Sequence, residues 1–392
     1  MNKIIHLDLD AFFCAVEEKR DPSLQGKPFA VGGRPESRGV VASCSYPARR
    51  FGVRSAMPMA KAIKLCPELL VVSGRHGDYR AASRQVMERL QALTQLVEQI
   101  SIDEAFLDVT ELDQSAAAIA RCIQRQIRDE LALPCSFGVA SNKLVAKIAS
   151  DVGKGAFTGN GPPNAITVVP PGQEAEFLAP LPSRALWGVG PKTAERLEAL
   201  GMSTIGQIAA FSTQELIRQF GKHGVELSMR AKGIDERPIV TERVSKSISQ
   251  ETTFATDISD GAKLRRTLAE QAEAVSRQLR KSGLSGATVR LKLRWPDFST
   301  PTRQTTLAQP TDDAKRIYAV ALTLFENLWK PGQAVRLLGV GVSGLNELPR
   351  QLSLWDQPNE KEEQLLATVR ELRQRFGSQV LVRGSDMAEK EP

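Results

Sequence analysis

From Lys3 to Leu9 the chain alternates with a two-residue period. Ile5, Leu7 and Leu9 fall on one face, and Ile4, His6, Asp8 and Asp10 on the other, as in a strand. From Ala11 to Lys19 the spacing turns helical. Gly, Pro and short β-type runs at 29–31 and 39–43 predict a small strand-rich unit across 26–56. Val86, Leu90, Leu93 and Val97 lie at helical spacing and predict a long amphipathic helix over 78–99. Residues 99–102 and 105–109 bracket Asp103 and Glu104 as a hairpin. A helix at 114–131, a strand at 136–139 and a helix at 141–151 follow. The order βα…αββαβα is that of an α+β domain with an antiparallel sheet.

A Gly/Pro-rich stretch, Gly153 to Pro163, precedes a mostly helical section at 171–233. Charges crowd around Asp235 to Arg243 and suggest a linker. Beyond it the pattern reads β (246–254), α (261–281), β (287–295), β (302–308), α (312–329), β (334–343), a βαββαβ unit. A tail with one amphipathic helix near 359–375 closes the chain. At 392 residues several domains are expected. No run approaches the roughly 18 apolar residues of a membrane span, and the opening lacks the apolar stretch of a signal peptide. Cys14, Cys44, Cys66, Cys122 and Cys135 are odd in number, widely spaced and without a Cys-x-x-Cys pair, against a disulfide framework or a zinc ribbon. A cytoplasmic protein is expected. Between 245 and 346 stand 15 Lys and Arg against 9 Asp and Glu, nearly all of the chain's net +7. So concentrated a charge favours a polyanion partner.

Asp8 and Asp10 share one strand face, and Asp103 and Glu104 sit at the tip of the predicted hairpin. If those strands are neighbours, three or four carboxylates converge with no Lys or Arg close in sequence, a costly arrangement unless a cation compensates it. All-oxygen ligands suit Mg²⁺ or Ca²⁺, and two such ions about 4 Å apart form a clamp for in-line displacement at phosphorus.

Four blocks carry a family likeness: His6 to Glu18 (HLDLDAFFCAVEE), Ser45 to Pro58 (SYPARRFGVRSAMP), Ser101 to Asp108 (SIDEAFLD) and Ser141 to Asp151 (SNKLVAKIASD). In this order and at these separations they resemble the Y-family DNA polymerases, in particular the DNA polymerase IV branch, over residues 1 to about 345. The resemblance implies a right-hand α+β multidomain polymerase with an antiparallel-sheet palm (1–10 and 75–165), small fingers (11–74) and a helical thumb (166–234). A linker (235–244), a βαββαβ little finger (245–346) and a tail (347–392) complete it. It further implies Asp8, Asp103 and Glu104, with the Leu9 carbonyl, as ligands of two Mg²⁺ ions. Phe13 takes the place of a steric gate that excludes a 2′-hydroxyl, with Phe12 the core residue beside it. Tyr46, Arg49 and Lys154 are implied to hold the triphosphate of a deoxynucleoside triphosphate. After Lys154 the loop (KGAFTGNGPP) departs from the family's usual Lys-Pro-Asn-Gly.

Leu186 to Ile205 (LWGVGPKTAERLEALGMSTI) matches a helix-hairpin-helix, in which Gly188 and Gly190 allow a tight loop, Pro191 suits a first helical turn and Lys192 follows it. Amides there can bind a DNA phosphate without reading sequence. Arg290, Lys292 and Arg294 alternate with Val289, Leu291 and Leu293, so one strand face is basic and could lie along primer-template DNA. Gln351, Leu352, Leu354 and Trp355 stand in a pentapeptide (QLSLW) between Pro349 and Pro358 that resembles the peptide docking bacterial polymerases on the sliding clamp. The expectation is a monomeric, template-directed translesion DNA polymerase without proofreading. A non-catalytic DNA-binding accessory would be free to lose the acidic set, and a nucleotide cyclase would not account for the hairpin motif, the basic block or the clamp peptide.

Overall fold

The protein's architecture comes from a computed structural model, which describes residues 2–242 and 244–347 and the single positions Thr368 and Leu372. The clamp-type peptide at 351–355 lies outside the described residues, as does the predicted helix at 359–375 apart from Thr368 and Leu372, both helical.

Strand β1 (Ile4–Leu9) turns into helix α1 (Phe12–Arg20) through Ala11, whose φ is 47°. A left-handed non-glycine residue costs about 1–2 kcal/mol. That strain buys an abrupt corner, which sends Phe12 into the core and leaves Phe13 half-buried beside it. Strands β2 (Phe29–Gly32) and β3 (Val41–Cys44) come next, then helices α2 (Tyr46–Arg50) and α3 (Met59–Leu65) and strand β4 (Leu70–Val72). The three strands form a small sheet in the order β3-β2-β4, with a core of its own around Val41, Met59 and Cys66.

The chain continues through α4 (His76–Leu93), β5 (Val97–Gln99), β6 (Glu104–Asp108), α5 (Ala116–Leu131), β7 (Cys135–Ala140), α6 (Lys143–Ala156) and β8 (Ile166–Val168). These complete a five-stranded sheet ordered β5-β6-β1-β7-β8, antiparallel except for β7 with β8. The alternation along β1 does not separate core from solvent. Ile5, Leu7 and Leu9 pack with α1, α4 and α5, while Ile4 and Phe106 pack with Leu144, Val145 and Ile148 of α6.

The helix expected over 78–99 ends at Leu93 instead. Thr94 is extended, its hydroxyl donates to the Asp108 carbonyl at 3.0 Å, and Val97 pairs with Leu107. Sheet pairing therefore overrides the helical period that Val97 continues in sequence. Glu104 correspondingly lies within β6 rather than at a hairpin tip, and only Asp103 remains in the turn.

Helices α7 (Glu174–Leu178), α8 (Pro191–Ala199), α9 (Ile205–Ala210), α10 (Thr213–Phe220) and α11 (Lys222–Ala231) bury Leu178, Leu197, Ile205, Leu216 and Leu227 in the same core as α6. The segment expected to be a linker is irregular but partly strapped down. The Asn142 side-chain amide donates to the Gly233 carbonyl at 2.9 Å and the Leu144 amide to the Asp235 carboxylate at 3.0 Å. Lys143 donates to the Pro238 carbonyl at 2.6 Å while pairing with Glu98 at 2.8 Å, both side chains being buried. The Val240 amide also donates to Glu98, at 3.0 Å.

Strands β9 (Ser247–Ile258), β10 (Leu284–Arg294), β11 (Thr302–Thr311) and β12 (Val335–Glu347), with helices α12 (Gly261–Lys281) and α13 (Ala314–Glu326), form the expected βαββαβ unit. Its antiparallel sheet is ordered β11-β10-β12-β9, and both helices pack on the face carrying Val289, Leu291 and Leu293. Arg38 joins this unit to the small sheet, its guanidinium 2.7 Å from Asp257 and 3.2 Å from the Phe254 carbonyl. The fold is thus α+β and multidomain. Among the described residues no helix is long and apolar enough to cross a membrane.

Helix α6 can lie against β7 because Gly138 has no side chain. A Cβ there would stand 1.8 Å from the Ala146 carbonyl oxygen and 2.5 Å from the Ser150 nitrogen. Gly138→Ala is expected to destabilise the protein by about 3 kcal/mol, the upper range for an overpacked core, as measured by urea unfolding.

Candidate active site

Antiparallel pairing of β1 with β6 places Asp8 opposite Glu104. One step along, the Leu9 amide donates to the Asp103 carbonyl at 3.0 Å, which fastens the turn over the end of β1. Asp8, Leu9 and Asp103 open into one cavity of about 170 Å³, lined also by Phe13, Tyr46, Arg49 and Lys154. Two stretches nearly a hundred residues apart therefore meet at the end of a single strand pair.

The structure differs from the sequence expectation in one respect that matters. The carboxylates do not stand without cations. Lys154 Nζ lies 2.6 Å from Asp8 Oδ2, and Lys147 Nζ lies 3.0 and 2.9 Å from the two oxygens of Glu104. The lysines are two helical turns apart on α6, so one face of that helix delivers both ammoniums to the sheet. Buried like charges require compensation, and in this state the helix supplies it. Lys154 thus lines the cavity, and its ammonium rests on Asp8.

Compensation is incomplete. Burial pushes the Asp8 carboxyl up to about 6 in spite of Lys154, and Glu104 adds to the rise. Burial also opposes the Lys154 ammonium, yet Asp8 beside it holds its pKa above the ordinary lysine value. His6, fully buried and tilted against Phe106 at 4.8 Å, is held well below the usual histidine range by burial and then by Lys147 and Lys154, so it is neutral. Asp10 is likewise raised to about 6 by burial. It accepts from the Ser136 hydroxyl at 2.9 and 3.0 Å and from the Asn164 amide at 3.1 Å, bonds that tie the 164 loop to β1 and β7. Asp10 thus uses its carboxylate for bonds within the protein.

On the opposite wall Ser45 caps α2, accepting from the Ala48 amide, so that Tyr46 and Arg49 project from the first turns. The Arg49 guanidinium stacks over the Tyr46 ring at 4.6 Å and donates to the Cys44 carbonyl at 3.2 Å. Its position is therefore set before any ligand arrives. Phe12 is 2% exposed and belongs to the core, while the Phe13 ring faces the cavity.

Away from the cavity, Gly188 has φ 101°, a conformation that favours glycine, and the nearest atom to a Cβ there would be the movable guanidinium end of Arg230. Gly190 caps α8 with an ordinary extended backbone, and Lys192 stands exposed in the first turn. A 270 Å³ groove on the open face of the C-terminal sheet is lined by Arg290, Lys292, Ser249, Thr302 and Ser343. Lys292 is held by Glu251 at 2.8 Å, and Arg290 and Arg294 donate to Gln304 and Thr300 at 3.1 and 2.9 Å.

Residues 7–151 match the model of the impB/mucB/samB family, 245–354 that family's C-terminal domain, and 171–202 the family's HHH motif. The chain is 43% identical to a DNA polymerase IV of Akkermansia muciniphila over 91% of its own length and 97% of that protein's. It is 42% identical to a DNA polymerase IV of Listeria innocua over 88% and 95%. The chain belongs to the Y-family of DNA polymerases, in the DNA polymerase IV branch. A Y-family polymerase chimera of Dbh and Dpo4 superposes with TM-score 0.77 at 26% identity, covering 87% of this chain and 98% of that one. The insertion ternary complex of Dbh DNA polymerase superposes at 0.61 with 27% identity and the same coverage. The chain is a DNA-directed DNA polymerase of the translesion class, and Y-family polymerases are metal-dependent nucleotidyltransferases.

Of the polymerase's expected site residues, Asp8, Leu9, Asp103, Phe13, Tyr46, Arg49 and Lys154 share the cavity, and Glu104 adjoins it through Asp8. Among the described residues no three His, Cys, Asp or Glu side chains are already gathered as a metal cluster. The donor set nonetheless fits a hard divalent cation. It is all oxygen, and the Lys154 ammonium already stands in for positive charge at Asp8. Lys147 escaped the sequence reading. Its seven-residue spacing from Lys154 on a predicted helix was the available signal, since it puts the two cations on one face.

Because a cation binds the ionised carboxylate, primer extension at subsaturating Mg²⁺ should fall as pH drops through about 6, the raised value of Asp8. Raising Mg²⁺ should shift that midpoint to lower pH. An unchanged midpoint in steady-state titrations at two Mg²⁺ concentrations would count against Asp8 as a ligand.

Proposed function

We propose that the chain extends a primer 3′-end opposite damaged or distorted template by attack of the primer hydroxyl on the α-phosphate of a deoxynucleoside triphosphate, releasing pyrophosphate. The observation that carries this reading is the single cavity that Asp8 and Asp103 share with Tyr46, Arg49 and Lys154, the last with its ammonium on Asp8. Asp8, Asp103, Glu104 and the Leu9 carbonyl would hold two Mg²⁺ ions. When bound, such ions polarise the reacting phosphate and favour an ionised primer hydroxyl.

The residues themselves supply position and charge. Arg49, fixed by Tyr46 and the Cys44 carbonyl, offers a planar fork to the β- and γ-phosphates. Lys154 carries its ammonium on a long stem and can exchange Asp8 for a phosphate oxygen. The Phe13 ring stands where the sugar edge would lie and leaves no room for a 2′-hydroxyl. The small sheet and its two short helices act as fingers, residues 11–74, that make few contacts to the nascent pair and tolerate distorted templates.

The five-stranded sheet serves as palm (1–10 and 75–165), α7–α11 as thumb (166–234), 235–244 as linker and the βαββαβ unit as little finger (245–346). The α8 N-terminus with Gly188, Gly190 and Lys192, and the face of Arg290, Lys292 and Arg294, hold the duplex backbone without reading sequence. Gln351, Leu352, Leu354 and Trp355 dock on a sliding clamp. The chain acts as a cytoplasmic monomer without proofreading.

Asp103→Ala should lower extension of a gapped primer-template by about a hundredfold or more, the scale of losing one electrostatic stabiliser of a transition state, with the fold intact by circular dichroism. No extension by the unaltered protein would instead favour the non-catalytic accessory. Replacing Arg290, Lys292 and Arg294 together by Ala should flatten the slope of log K against log salt by about 0.9 for each phosphate that is no longer neutralised, read from DNA-binding isotherms.

A further inference from the structure

Glu17 is a carboxylate only 2% exposed on α1, one turn beyond Phe13 and on the same side of the helix. Nothing in the nucleotidyl-transfer reading uses it. It is nevertheless fully engaged: the Tyr79 hydroxyl donates to Oε1 at 2.6 Å, and Arg75 Nη1 lies 2.5 Å from Oε2. Arg75 and Tyr79 are themselves one turn apart at the start of α4. The fully buried Tyr79 ring stacks on Phe13, with centroids 4.3 Å apart and planes inclined by 14°. The far side of Phe13 opens into the cavity, and His76 meets its edge at 6.2 Å.

A ring can exclude a single hydroxyl only if it cannot recede. Phe13 has no polar group of its own, so its resistance to displacement comes from what stands behind it. That backing is the flat face of Tyr79, and Tyr79 cannot swing aside without breaking a hydrogen bond to a buried carboxylate. Arg75, 42% exposed, supplies the cation that answers the Glu17 carboxylate in its apolar setting. We propose that Glu17 is a positioning residue for sugar selection, acting through Tyr79 to hold the Phe13 ring against the incoming sugar. This rests on the reading of Phe13 as the gate. It assigns the rigidity of that gate to a buried ionic contact between α1 and α4, remote from the metal-binding carboxylates.

The test is the ratio of kcat/KM for a deoxynucleotide to that for the matching ribonucleotide, measured by single-nucleotide insertion on undamaged primer-template. A loss of folded protein lowers both numbers alike and leaves the ratio unmoved. Tyr79→Phe keeps the stack but removes the anchor, and Glu17→Ala removes the acceptor. Each is expected to lower the ratio about tenfold, on the scale of one charge-assisted hydrogen bond, chiefly by improving ribonucleotide use. Glu17→Gln, which still accepts from Tyr79, should retain more discrimination than Glu17→Ala. Phe13→Ala serves as the reference for a gate removed outright. If it collapses the ratio while Tyr79→Phe and Glu17→Ala leave it unchanged, the positioning role is overturned and the gate stands. If Phe13→Ala also leaves the ratio unchanged, the gate reading falls and takes this inference with it.

Discussion

Asp8 and Glu104 face each other across an antiparallel register, one of them largely removed from water, and the surrounding elements are arranged to answer that concentration of negative charge. Two acids so placed repel each other unless positive charge is brought to them. Here helix α6 brings it, through Lys147 to Glu104 and Lys154 to Asp8. Even beside that ammonium, burial keeps the Asp8 carboxyl raised to about 6. On the proposed function, a divalent cation and a triphosphate would restate the same electrostatic problem with different partners: the cation would relieve the acids and the phosphates would take the lysine.

The pairing of these lysines with the acids depends on how closely α6 approaches the sheet. Gly138 removes the side chain that would hold the helix away from β7, and Leu144, Val145 and Ile148 seal the contact on the side facing the helical section. The central sheet is therefore covered on both faces. One side packs on α1, α4 and α5, which carry Phe13 and its backing. The other packs on α6, which carries the lysines. Phe13 and Lys154 are thus fixed by opposite sides of one sheet and meet in the cavity where β1 ends.

The connection to the C-terminal unit follows a comparable logic. Glu98 and Lys143, both buried, hold the stretch from Gly233 to Val240 against the five-stranded sheet, while Arg38 reaches from the small sheet to Asp257. The basic face of the C-terminal sheet is consequently tethered at two places to the body that holds the acids.

Much of this was legible in the order of residues. The helices at 116–131 and 261–281 and the alternation of Val289, Leu291 and Leu293 with basic neighbours follow from local pattern, because burial on one face imposes its period on the chain. The four motif blocks identified the family and the acids worth watching. Local pattern failed where a distant partner decided the outcome. Val97 fits a helix by spacing but pairs with Leu107, and Glu104 looks like a hairpin tip but is a strand residue opposite Asp8. Glu17 is invisible as an isolated acid on a short helix, since its meaning comes from Tyr79 and Arg75 some sixty residues later. The sequence by itself determined which residues could bear charge, which faces would be apolar and which family the chain resembles, because those depend on residue type and near neighbours. Only the tertiary structure decided which cation answers which carboxylate and what stands behind Phe13, because Coulomb attraction and ring packing act over a few ångströms and so depend on closures that no local period encodes.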